Sequence, residues 1–132
     1  MTKTERPVFY ERAGIDGRCL CPDSWRVRIA LAQKGIDHDR IQMPFADNGA
    51  LQAATGAREI PVLVLSGETI VGSDDIAAAL DRMDSSTRLR SPSSDALLMS
   101  CKSDLMDRID QLVAPDMLKH VLPDDRQTYQ TL

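Results

Sequence analysis

The sequence predicts an α/β fold of four strands and three helices, followed by a short all-α extension. Three observations carry that expectation. Up to about residue 83, short apolar runs alternate with segments of helical period, the pattern of strands interleaved with helices. One run, Ile60 to Leu65 (IPVLVL), is almost wholly apolar, as befits a strand inside a sheet. From Asp84 the composition changes to DSSTRLRSPSS, and only helical periodicity follows.

Each element has a local reason. Pro7 to Tyr10 (PVFY) is fit for a buried strand, with Gly14 and Gly17 in the loop after it. Trp25 to Lys34 reads as a helix: Val27, Ala30 and Leu31 fall on one face, Asp23 or Ser24 can cap it, and Gly35 stands where it should stop. Ile36 to Met43 (IDHDRIQM) carries enough charge to be a strand near the edge of the sheet. Pro44 to Asn48 is a loop, and Ala50 to Thr55 a short helix closed by Gly56. Ser66 and Gly67 turn the central strand into a hairpin with Glu68 to Val71. Ser73 is placed to cap a helix over Asp74 to Met83, buried through Ile76, Leu80 and Met83. Residues 1–83 are thus expected to form one unit, 84–95 a linker and 96–132 a partial helical domain. In the last, Leu98, Cys101, Leu105, Ile109 and Leu112 mark the stripe of one long helix ending near Pro115, and HVLPDDRQTYQTL trails away from it.

Composition narrows the function. A chain of 132 residues is long enough for one real core and too short for two. A net charge of -4 leaves no basic stripe for nucleic acid. No apolar run approaches the roughly 18 residues of a membrane span, and MTKTERP has no hydrophobic signal core, so a cytoplasmic protein without a membrane partner is expected. Three cysteines make no disulfide framework and point to free thiols.

The stretch RCLCPDSWRVRIALAQKG, Arg18 to Gly35, sets Cys21 just before a helix N-terminus. There the helix dipole and unpaired N–H groups favour a thiolate, and Arg18, Arg26 and Arg28 can add positive potential. The same position also suits a small apolar filler, and both readings stand. Cys19 and Cys21 as C-x-C lack further ligands for a metal, so none is expected. Cys101 reads as core, Trp25 as a core anchor, His38 and His120 as surface or partly packed residues, and Asp124–Asp125 as solvent-facing charge. Pro61 inside an apolar run cannot donate to a sheet ladder. Its bond to Ile60 is a candidate cis peptide, which would turn backbone groups outward toward an extended ligand.

The order of elements, CPDS leading into a helix, IPVL opening the third strand and GETIVGSDDIAAAL closing the unit resemble the N-terminal domain of the glutathione S-transferase superfamily. DGRCLCPDSWRVRIALAQKGID is similar to the beta-etherase branch and related fungal transferases, and CPDS to omega-type transferases and glutaredoxins. The resemblance covers residues 7–83 well and implies a thioredoxin-like βαβ-α-ββα fold with a mixed four-stranded sheet. It implies glutathione as co-substrate, a small electrophile or disulfide as second substrate, and a homodimer. Cys21 would be the catalytic residue touching the glutathione sulfur, with Ser24 at the resolving position of dithiol glutaredoxins, where serine forces monothiol chemistry. Ile60 and the cis-proline Pro61 would pair with the cysteinyl unit, and Ser73 with Asp74 would bind the γ-glutamyl carboxylate. Two departures stand out. Gly72 replaces the family's polar residue before that serine, and the chain offers only the beginning of the second, helical domain, as a truncated member would. Two functions follow: a glutathione transferase or thiol transferase, or a non-catalytic module of the same fold that dimerises.

Overall fold

The computed structural model describes residues 5–44, 48–102 and 104–130. Its elements run β1 (Val8–Arg12), a 3-10 turn (Ile15–Gly17), α1 (Pro22–Gln33), β2 (Asp39–Met43), α2 (Asn48–Thr55), β3 (Val62–Leu65), β4 (Glu68–Val71) and α3 (Ser73–Met83). The sheet is four-stranded in the order β2-β1-β3-β4. β1 pairs parallel to β2 and antiparallel to β3, and β3 pairs antiparallel to β4. This is the mixed sheet expected, with the charged β2 at an edge and the apolar β3 inside. The loop expected over Pro44 to Asn48 lies mostly outside the described residues; α2 already includes Asn48.

Alternation along the strands divides the apolar residues between two faces. Phe9, Leu63 and Ile70 pack against Val27, Ala30 and Leu31 of α1 and Ile76, Ala79 and Leu80 of α3. On the other face Met43 and Val62 meet Leu51 of α2, with Tyr10 and Val71 at the margin. The stop of α1 is a Schellman motif: Gly35 takes φ 65, its N–H bonds the Ala32 carbonyl at 3.0 Å, and the Ile36 N–H bonds the Leu31 carbonyl at 3.0 Å. Ser66 and Gly67, at φ 52 and 81, form the turn whose hand suits the strand twist.

Several boundaries differ from the expectation. α1 begins at Pro22, three residues before Trp25, because a proline at the first helical position loses no hydrogen bond; the capping position is therefore Cys21, not Asp23 or Ser24. β1 runs to Arg12, and β2 starts only at Asp39. The single long helix is two, α4 (Pro92–Lys102) and α5 (Asp104–Met117), and α4 starts inside the stretch read as linker. Pro115 lies within α5 rather than ending it. Cys101 is only half-buried, and Leu105 and Leu112 are exposed, so the stripe is not core.

The tail does not trail away. After 3-10 turns at Leu118–His120 and Pro123–Asp125 comes α6 (Arg126–Gln130). Val121 and Asp125 are buried, which overturns the solvent-facing reading of Asp125. A side chain on Gly14 would stand 2.9 Å from the Arg18 carbonyl oxygen and 3.0 Å from that of His120, so glycine lets the tail close on the loop after β1. Among the described residues no helix is long and apolar enough to cross a membrane.

Two ion-pair groups hold these layers in register. Glu11, buried beneath α1, accepts from both Arg28 Nε, at 2.6 Å, and Arg28 Nη2, from Gln42 Nε2 at 3.1 Å, and pairs with Arg40. Lys34, with a fully buried side chain at the end of α1, pairs with Asp81 of α3 at 2.9 Å and donates to the carbonyls of Asp84 and Thr87. Asp81 in turn accepts from the backbone N–H groups of Leu89, at 2.8 Å, and Arg90, at 3.1 Å. The segment after α3 is thereby fastened to the sheet domain.

Candidate active site

The site is assembled from the N-termini of α1 and α3 and the loop that opens β3. Cys21 has extended backbone angles, φ -87 and ψ 118, and its carbonyl accepts the first helical hydrogen bond, from the Trp25 N–H at 3.1 Å. Its side chain caps nothing and is half-buried, so the sulfur sits at the positive end of the helix with access from outside.

The sequence did not single out Arg12, whose guanidinium lies within electrostatic reach of Cys21. Burial lowers the pKa of Arg12, and the ionised forms of Cys21 and Asp125 raise it again, so this guanidinium lies within electrostatic reach of both. Arg12 also donates to the Pro44 carbonyl at 3.0 Å. Arg26 and Arg28 are occupied elsewhere: Arg28 by Glu11, and Arg26 by the residues at the head of α3.

Cys19 is buried, and its Sγ lies 3.8 Å from the Cys21 carbonyl oxygen. Burial first, then the nearby negative charges of Glu11 and Cys21, push the Cys19 thiol up, against the pull of that hydrogen bond and of Arg28. Trp25 is a loop anchor rather than a core anchor. It is 47% exposed, its indole N–H donates to the Cys19 carbonyl at 2.8 Å, and the Arg28 guanidinium lies over its ring at 4.6 Å. Ser24 points inward: it is fully buried, and its hydroxyl has no hydrogen-bond partner among the described residues.

At the second helix, Ser73 is the first helical residue and Gly72 the cap, correcting the expected cap. Gly72 takes φ 92, a backbone region that strains a side chain and that glycine adopts freely. The Gly72 N–H bonds the Pro61 carbonyl at 2.9 Å, and the Ile60–Pro61 peptide is cis, so the head of α3 lies against the turn that opens β3. Pro61 is buried and Ile60 half-buried.

A network ties the two helix heads together. The Ser73 hydroxyl donates to Asp23 Oδ1 at 2.9 Å and accepts from Arg26 Nη1 at 2.9 Å. Arg26 Nη2 donates to Asp74 Oδ1 at 2.8 Å. The structure thus joins the predicted Ser73 and Asp74 to two residues of α1, Asp23 and Arg26. Their role as ligands of Ser73 has no local signature, because the partners lie some fifty positions apart in the chain. His38 and His120 stand outside the network and are half-buried; His38 Nδ1 is 3.0 Å from the Ile36 carbonyl oxygen. Among the described residues no group of three or more His, Cys, Asp or Glu side chains forms a metal site.

A cysteine at the head of the first helix, a cis-proline opening an inner strand and a serine at the head of the next helix, on a β2-β1-β3-β4 sheet, define a thioredoxin-like domain. Residues 20–83 match the model of the glutathione S-transferase N-terminal domain family. Over 74 residues, 52% of this chain and 32% of the relative, it is 35% identical to the maleylacetoacetate isomerase of Mus musculus. The fold is shared with a glutathione transferase of Phanerochaete chrysosporium, at TM-score 0.84 and 20% identity over 97% of this chain and 60% of that one. It is shared too with a glutathione S-transferase of Ceriporiopsis subvermispora solved in complex with glutathione, at TM-score 0.80 and 21% identity over 95% of this chain and 57% of that one. The chain therefore spans about a third of its curated relative and under two thirds of these structural neighbours.

Proposed function

We propose that this chain binds glutathione between the heads of α1 and α3 and passes it to, or takes it from, a disulfide or small electrophile. The observation that carries the reading is the pairing of Ser73 with Arg26 across the two helix heads. A γ-glutamyl carboxylate is an anion suited to a helix N-terminus, a hydroxyl and a guanidinium together. On binding it competes with Asp23 for Ser73, and the freed carboxylates of Asp23 and Asp74 face the ligand's ammonium group. That arrangement replaces the polar side chain that Gly72 lacks. The backbone of Ile60 beside Pro61 pairs with the cysteinyl unit, which brings the ligand's sulfur toward Cys21.

In this reading residues 1–83 are the glutathione-binding domain and 96–132 the start of the pocket for the second substrate, with Asp84 to Asp95 joining them. The Cys21 thiolate attacks one sulfur of glutathione disulfide, forms a Cys21–glutathione disulfide and releases glutathione thiolate, which takes a proton from solvent. Alternatively Cys21 steadies the thiolate of bound glutathione for attack on an electrophile. Buried Ser24, a hydroxyl, offers no thiol to resolve the mixed disulfide. A homodimeric, cytoplasmic protein fits the same reading.

A second reading, a module that associates without turnover, draws on the exposed apolar residues of the extension, Leu97, Leu105 and Leu112 among them. Calorimetry separates the two. Wild type should bind glutathione, and Ser73→Ala should bind it more than tenfold more weakly, the loss expected of one charge-assisted hydrogen bond at about 1.5–3 kcal/mol. A thermal melt of the variant checks that the fold is intact. No heat of binding from wild type would overturn the glutathione reading.

A further inference from the structure

The anion position between the two helix heads has an occupant supplied by the chain itself. The Ser73 hydroxyl donates to Asp23 Oδ1 at 2.9 Å, and Arg26 Nη1 lies 2.9 Å from that hydroxyl oxygen and 3.3 Å from the same carboxylate oxygen. The Asp23 carboxylate thus takes a hydroxyl and a guanidinium together, as an incoming carboxylate would. Ser73 is only 7% exposed, with its hydroxyl held between Asp23 and Arg26, so a ligand must turn Asp23 aside to reach it. Asp23 is free to turn: it stands in the first turn of α1 with its side chain 52% exposed, whereas Arg26 is held back by Asp74 at 2.8 Å.

The charges decide which ligands can displace it. One guanidinium faces two carboxylates, Asp23 and Asp74, so the network holds a negative charge in excess. Arg90, the next cation, is taken up by Asp95 at 3.1 Å and by the Asp74 carbonyl at 3.2 Å. An anion that pushes Asp23 off Ser73 sets a third negative group beside those two carboxylates, against a single cation, and such juxtaposition of like charges is a penalty that rejects wrong partners. A ligand whose carboxylate has an ammonium group beside it brings the missing positive charge and gives the displaced Asp23 a new partner.

We propose that Asp23 is a built-in competitor at this subsite and makes it selective: head groups that carry an ammonium beside the carboxylate displace it, and anions without one, such as sulfate or a plain carboxylate, bind only weakly. For glutathione the inference rests on the function proposed above; the exclusion of simple anions does not. Asp23 is then a specificity-determining residue, acting at the γ-glutamyl end of the ligand and not at its sulfur.

Calorimetry on the full chain compares glutathione with its des-amino analogue, glutaryl-cysteinyl-glycine, which lacks only the ammonium group. Wild type should bind the analogue at least roughly tenfold more weakly than glutathione. In Asp23→Asn, and in Asp23→Ala as a second variant, the analogue should bind more tightly than it binds wild type, and the gap to glutathione should narrow by about tenfold. Asp75→Asn removes the same charge from an exposed residue of α3 that takes no part in the network, and it should keep the wild-type gap. An unchanged gap in the Asp23 variants, or the same narrowing in Asp75→Asn, would overturn the role of Asp23 and leave glutathione binding in place. Sulfate supplies an arm that needs no glutathione: the amide resonances of Ser73 and Asp74 should respond to it at a roughly tenfold lower concentration in Asp23→Asn than in wild type. If no protein binds glutathione, the glutathione reading falls and the sulfate comparison decides for Asp23. Equal sulfate responses in the two proteins, or none in either, would overturn the proposal.

Discussion

Glu11→Ala is expected to lower the stability of the fold by about 3 kcal/mol, measured by denaturant unfolding at neutral pH, because removing one partner leaves the other charge desolvated. The figure sits at the low end of the range for buried pairs because the Arg28 side chain keeps 17% exposure and can turn partly to water. Acid should act through the same group. Burial by itself raises the Glu11 carboxyl, but hydrogen bonds from Arg28 and Gln42, with the charges of Arg28 and Arg40, outweigh it and leave its pKa below the usual value. A carboxyl depressed in the folded state contributes stability that is fully present above its unfolded pKa, about 4.3, and is lost as pH falls through the folded value. Wild type should therefore lose stability below about pH 4, and Glu11→Gln should show a shallower loss over the same range. Parallel pH curves for the two proteins would refute this account of Glu11.

Lys34→Met should be the other large effect, about 2–3 kcal/mol, the scale of hydrogen bonds made by a charged donor. Methionine keeps the volume and the apolar stem but gives Asp81 and the carbonyls of Asp84 and Thr87 no donor. The loss has a location. Leu89 packs on the main core, and its N–H, like that of Arg90, is held by Asp81. Hydrogen exchange at Leu89 and Arg90 should quicken in Lys34→Met more than exchange in β3. Equal quickening throughout would mean that Lys34 supports the domain as a whole rather than the segment after α3.

What could be read from the sequence was whatever repeats at short range. The helical spacing of Val27, Ala30 and Leu31, the apolar run at Ile60 to Leu65 and the Ser66–Gly67 turn each carry their own signal, and the four strands and three helices of the sheet domain follow in the expected order, with α1 starting three residues earlier and β2 three residues later than expected. Pro61 announced a special backbone because proline in such a run leaves few alternatives, and its bond is cis. The candidate site was half legible. Cys21, Pro61 and Ser73 stand at element boundaries, which leave traces in sequence. Arg26 and Asp23 act on Ser73 across two helices, and pairings at that separation follow from tertiary packing alone. Trp25 misled because a large aromatic ordinarily buries, whereas here it serves through its N–H and one ring face.

The burial of Val121 and Asp125 beside the end of β1 also bears on how the chain folds. The sheet domain closes through shorter steps: a hairpin from β3 to β4, a parallel crossover from β1 to β2, and the pairing of β1 with β3 between residues 8–10 and 62–64. The tail instead closes a ring of roughly a hundred residues, and although each doubling of a loop costs only about 0.6 kcal/mol, no contact across it can form until its two ends meet. The loop bearing Cys19 and Cys21 lies at that seam, since Gly14 faces both the Arg18 and the His120 carbonyls. The sheet can thus assemble before the loop of Cys19 and Cys21 is enclosed, and the tail closes on that loop in a later step.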